Sequence, residues 1–134
     1  MLTSGQLADP RVAAIVPFAG TIRKTFFGDT GYRTVQGPVL FMSGTEDGHE
    51  DAQKHFDETT DIDLSWLSLE GGCHQSFALG QCTTLDVNLG FEIVETYALA
   101  FSRKHILKVE DKEIEELLSG ETQRWEEAIL KSHQ

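Results

Sequence analysis

The sequence predicts an α/β fold: a short parallel sheet of about three strands, joined by crossover segments and followed by C-terminal helices. Three observations predict it. Two apolar runs, at 39–43 and 63–69, each end in a glycine-containing turn. The 50–60 stretch between them has helix-forming composition, so the unit reads strand–helix–strand, and a right-handed crossover makes its strands parallel neighbours. A third apolar run, inside R-V-A-A-I-V-P-F-A-G at 11–20, is continuous rather than alternating, as in a strand covered on both faces.

In chain order, a short polar segment leads to the turn signal Asp9-Pro10. Residues 12–16 then form the first expected strand, and Pro17, lacking an N–H, is expected to end its ladder. Residues 21–37 interleave aromatics with turn residues. Phe26, Phe27 and Tyr32 could wall an apolar substrate pocket or anchor a connection onto the core. Gly37-Pro38 introduces the second strand, whose exit turn is Gly44-Thr45-Glu46-Asp47-Gly48. Glu50 and Asp51 suit the dipole at the start of the following helix. The third strand, 63–69, alternates in part and reads as a half-exposed edge. Glu70-Gly71-Gly72-Cys73-His74 then projects an imidazole from a flexible turn. Leu89, Ile93, Tyr97, Ala100 and Phe101 recur at helical spacing, and residues 103–105 put cations in the last turns. Two shorter helices are expected at 111–119 and 121–131, around Gly120. Residues 1–107 form the main unit and 108–134 an acidic helical tail packed on it or extending from it.

At 134 residues the chain can bury a core, and 40% hydrophobic with 25% charged residues suits a soluble globular protein. A net charge of −11 argues against nucleic acid or an anionic membrane as partner, since both call for a positive footprint. No apolar run approaches the roughly 20 residues of a membrane span. No targeting segment heads the sequence, which leaves cytoplasmic and exported locations both open. Cys73 and Cys82 could form one local disulfide or stay as thiols.

The chemistry gathers at two strand exits. Sequential parallel strands place their carboxyl ends on one sheet edge, where open α/β folds bind ligands. Asp47 leaves one strand and His74 the next, so the edge would join an acid to a histidine, two members of a nucleophile–base–acid triad. Each alone has a plainer reading, Asp47 as a turn aspartate before glycine and His74 as a solvent-exposed histidine. Cys73 as nucleophile is disfavoured, because adjacent turn residues rarely aim at each other. A metal site from His49, Glu50, Asp51 and His74 lacks any recognised ligand spacing. No cofactor and no metal are expected.

R-V-A-A-I-V-P-F-A-G, P-V-L-F-M-S-G-T-E-D and G-G-C-H-Q-S-F together resemble the last three strands of an α/β-hydrolase. The nearest flavour is that of the dienelactone hydrolases, platelet-activating-factor acetylhydrolases and chlorophyllase-like esterases. The resemblance covers about residues 9–107. It implies a partial α/β-hydrolase fold, with Asp47 as triad acid, His74 as base, and a long final helix. It departs from the family in one large respect. The nucleophile sits on a G-x-S-x-G elbow upstream of these strands, and no such motif occurs here; Ser4-Gly5 is a poor substitute.

The resemblance therefore implies the C-terminal half of a serine esterase, supplying acid and base but not the nucleophile. Its substrate would be a small-molecule ester once the missing half completes it. A catalytically inactive remnant, acting as a binding or assembly module, is the alternative. In either case the outer edge of 12–16 would lack its neighbour strand. The chain is expected to self-associate or to pair with an N-terminal-half chain, rather than stay a stable monomer.

Overall fold

The computed structural model describes residues 9–19 and 35–133. Strand β1 (Val39–Gly44) is buried along its whole length. Gly48, at φ 72, turns the chain into helix α1 (His49–Glu58), which returns it to strand β2 (Leu64–Leu69). The two strands pair in parallel, from Val39 opposite Leu64 to Gly44 opposite Leu69. The expected strand–helix–strand unit is thus present.

Both sheet faces are covered. Alternate residues of β1 and β2 point to opposite faces. Val39, Phe41, Leu64 and Trp66 pack with Ala52 and Phe56 of α1. Leu40, Met42, Leu67 and Leu69 pack on the other side against helix α2 (Val87–His105), through Ile93, Val94, Tyr97 and Phe101. Asp86 starts α2 as a cap, its carboxylate accepting the Asn88 and Leu89 N–H groups. Helix α3 (Lys112–Ser119) is capped in the same way by Asp111. It stops at Gly120, whose φ of 78 suits glycine, and adds Ile114, Leu117 and Leu118 to the α2-side core.

The C-terminal end departs from expectation. Instead of a helix over 121–131, Ala128–His133 forms strand β3, antiparallel to β2 with Ala128 opposite Leu69. Trp125, Ala128, Ile129 and Leu130 do not make a helical stripe. The Ala-Ile-Leu run fits a pleated surface, and β2 offered an edge to pair. β2 is consequently central and buried, not a half-exposed edge. The sheet has the order β1-β2-β3 and is mixed, with one parallel pair rather than three parallel strands.

The first apolar run is also less regular than expected. Residues 12–19 lie along the free side of β1 but make only two isolated parallel bridges, Ile15 to Val39 and Phe18 to Met42. Pro17 does not end this pairing. Its carbonyl accepts the Met42 N–H at 3.1 Å, and Ala19 N–H donates to Met42 beyond it. A proline facing the ladder with its oxygen removes one donor and leaves the neighbouring bonds intact.

Candidate functional site

Two turns meet at the carboxyl ends of β1 and β2. Backbone contacts join them before any titratable group is considered. The Glu46 N–H donates to the Gly72 carbonyl at 2.8 Å, and the Thr45 N–H donates to the Leu69 carbonyl at 3.0 Å. The Gly71 N–H donates to Thr45 Oγ1 at 2.8 Å. The backbones approach so closely that a Cβ on Gly44 would stand 2.0 Å from the Gly72 oxygen. Asp47 closes its own turn through a 3.1 Å bond from its N–H to the Gly44 carbonyl.

On this frame the two titratable side chains face each other. His74 Nδ1 lies 3.0 Å from Asp47 Oδ2, across 27 residues of sequence. The carboxylate is the acceptor, so the neutral ring carries its proton on Nδ1 and leaves Nε2 as the free basic nitrogen. The Asp47 side chain is 26% exposed and that of His74 is 65% exposed. His74 opens a short 3-10 turn (His74–Phe77), which Ser76 buries against the core. Among the described residues, Asp47 is the only side chain hydrogen-bonded to His74.

The remaining expected site residues are placed as follows. Phe26, Phe27 and Tyr32 lie outside the described residues, as do Ser4 and Gly5. Cys73 and Cys82 are joined as a disulfide, with Cα atoms 6.0 Å apart, so neither is a free thiol nucleophile. The His49 ring packs at a tilt against Trp66, with ring centroids 5.5 Å apart. No three His, Cys, Asp or Glu side chains cluster as metal ligands would among the described residues. No described helix is long and apolar enough to cross a membrane.

The glycine contact between Gly44 and Gly72 went unread in the sequence, although Gly44 closes the first apolar run and Gly72 stands three residues past the end of the second. It is what brings the turns to hydrogen-bonding range. Equally unread was a cavity of about 580 Å³ at the opposite end of the strands, lined among others by Asp63, Ser65, Phe101, Lys104 and His105. A second depression, of about 490 Å³, adjoins the Asp47 turn at Thr45, Glu46 and His49 but does not include His74. Neither of these two depressions has His74 in its lining.

The arrangement defines a small mixed α/β chain with an aspartate–histidine dyad at the carboxyl ends of its parallel strands. No protein-family model matches the sequence, and no curated protein matches it.

Proposed function

We propose that this chain is the acid–base half of a serine-type ester hydrolase, of the α/β-hydrolase kind its strand exits resemble. The observation that carries the reading is the 3.0 Å contact between His74 Nδ1 and Asp47 Oδ2 at the ends of adjacent parallel strands. Asp47 holds the ring in the tautomer with a proton on Nδ1 and stabilises the imidazolium when it forms. Nε2 is then the general base. It takes the proton of an attacking serine hydroxyl and returns it to the leaving alcohol. The serine and the oxyanion donors belong to another segment or chain, docking on the free side of residues 12–19.

A second reading is an inactive remnant that serves as a binding or assembly module. It is favoured by one observation: among the described residues no serine is hydrogen-bonded to His74.

Expressing the chain joined to the coding sequence directly upstream of Met1, then treating it with a serine-directed phosphonate, separates the two. The hydrolase reading expects stoichiometric labelling at a G-x-S-x-G serine, lost on His74→Ala. Absence of both the motif and the labelling sinks it in favour of the module. The 134-residue chain alone should remain unlabelled and hydrolyse p-nitrophenyl acetate poorly. Labelling of one of its own serines would show that the nucleophile had been wrongly placed elsewhere.

A further inference from the structure

We propose that the Cys73–Cys82 disulfide is the positioning element for His74, and that thiol–disulfide exchange there decides whether the imidazole sits on Asp47. This rests on the acid–base reading of the pair and adds a control to the same site.

Hydrogen bonding around the His74 loop is almost wholly internal. The Ser76 N–H donates to the Cys73 carbonyl, the Ala78 and Gly80 N–H groups donate to Gln75, and the Cys73 N–H donates to Ser76 Oγ. From residues 74–81, the one hydrogen bond to another described element is that between His74 and Asp47. Packing holds the middle of the loop, where Ser76 is buried near Gly90 of α2 and Phe77 rests on the core. Beyond it, Ala78 and Leu79 are exposed.

Cys73 is tied to Gly71 by two routes. One is the main chain through Gly72, two glycines in succession, with Gly71 at φ 70. Gly72 is held by its own bonds, its carbonyl accepting the Glu46 N–H and its N–H donating to the Leu69 carbonyl, so the freedom left in that route lies at Cys73. The other runs through the disulfide to Cys82 and on to Thr84, whose hydroxyl donates to the Gly71 carbonyl at 2.6 Å. Gly71 in turn donates to Thr45 in the turn that carries Asp47. The bridge thus closes a ring that fixes the residue before His74 relative to the Asp47 turn. A single hydrogen bond as exposed as that between His74 and Asp47 holds a side chain only weakly by itself, so this backbone constraint matters to it.

Both cysteines are partly exposed and within reach of a small dithiol. In the exchange, a thiolate of the dithiol attacks one bridge sulfur, and the other leaves as a thiolate and takes up a proton. The second thiol of the reductant, as thiolate, then attacks the reductant's own sulfur in the mixed disulfide, and the remaining cysteine leaves as a thiolate and takes up a proton. The dithiol ends as its own disulfide, and Cys73 and Cys82 end as two thiols, having gained two electrons and two protons. The reduced sulfurs find partners in place: Cys82 Sγ is 3.5 Å from the Gly71 oxygen, and Cys73 Sγ is 3.8 Å from Ser76 Oγ.

The test reads the His74 tautomer in the full chain by long-range proton–nitrogen NMR, at a pH where the ring is neutral. In the oxidised protein the proton should reside mainly on Nδ1. Dithiothreitol should lower the ratio of Nδ1-bound to Nε2-bound proton by about fivefold, the bias an exposed charge-assisted bond supplies. The double variant Cys73→Ser/Cys82→Ser should show the lower ratio with or without reductant, and Asp47→Ala marks the unpaired baseline. If that double variant fails to fold, reduction of the unaltered chain still gives the answer. A ratio that stays high on reduction, well above the Asp47→Ala baseline, overturns the positioning role and leaves the pair standing. A ratio already at baseline in the oxidised chain overturns both the pair and its control.

Discussion

At Gly44 the fold leaves no space for a side chain, because the obstacle is the Gly72 backbone and not a movable group. Gly44→Ala should part the two turns and cost about 3 kcal/mol, the upper range for overpacking, measured by urea denaturation. An unchanged midpoint would mean the turns are not in contact. His105, in the cavity at the other end of the strands, offers a pH test. Burial, and after it the Lys104 charge, holds its pKa below the ordinary histidine value, with Asp63 opposing. The folded pKa is lower than the unfolded one, so the stability this residue contributes is present above the unfolded value of 6.5 and lost as pH falls through the folded value. The unfolding midpoint should therefore drop between about pH 7 and pH 5, and His105→Gln should remove part of that slope. A slope identical in the variant would show that His105 is not the group responsible.

Each element has one residue or neighbour on which it depends. α2 begins where Asp86 caps two N–H groups, and Asp86→Ala should cost about 1 kcal/mol. The loss should appear in thermal unfolding while the dyad, on the other elements, stays paired. β3 is held by more than its ladder. The Lys131 ammonium sits 4.7 Å over the Trp66 ring, and the Phe56 and His133 rings stack 4.0 Å apart. Ending the chain after Glu127 would strip the outer edge of β2 and open the Trp66 ring, now wholly buried, to water. Red-shifted tryptophan emission and loss of a cooperative transition are the expected results. A cooperative transition at the same midpoint would show that β3 is only an accessory.

At the scale of the molecule, association is expected to run through the side of 12–19 that faces away from β1. Ile15, Pro17 and Ala19 spend their inward groups on β1, and the N–H groups of Ala14, Val16 and Phe18 have no partner among the described residues. Phe18 is 46% exposed at this edge. Such an edge pairs with another strand unless charge or proline blunts it. Sedimentation at micromolar concentration should show species heavier than the 14.9 kDa chain, reduced on Val16→Lys. A compact, monodisperse monomer would defeat this expectation.

Periodicity and turn chemistry in the sequence were enough to determine β1, α1, β2, α2 and α3, and to put Asp47 and His74 at successive strand exits. Those are local properties: apolar runs with their glycine turns, and apolar residues recurring at helical spacing. Tertiary structure decided the rest. Residues 128–133 became a strand because β2 had an unpaired edge, which no property of the Ala-Ile-Leu run by itself announces. The same pairing moved β2 from the edge to the centre and made the sheet mixed. The 3.0 Å approach of His74 to Asp47 depended on Gly44 and Gly72 meeting backbone to backbone, a contact between residues 28 positions apart. The disulfide likewise depended on which way the Cys73 and Cys82 side chains turned. Contacts across such distances are set by how whole elements pack, so a reading of neighbouring residues reaches the two turns but not their meeting.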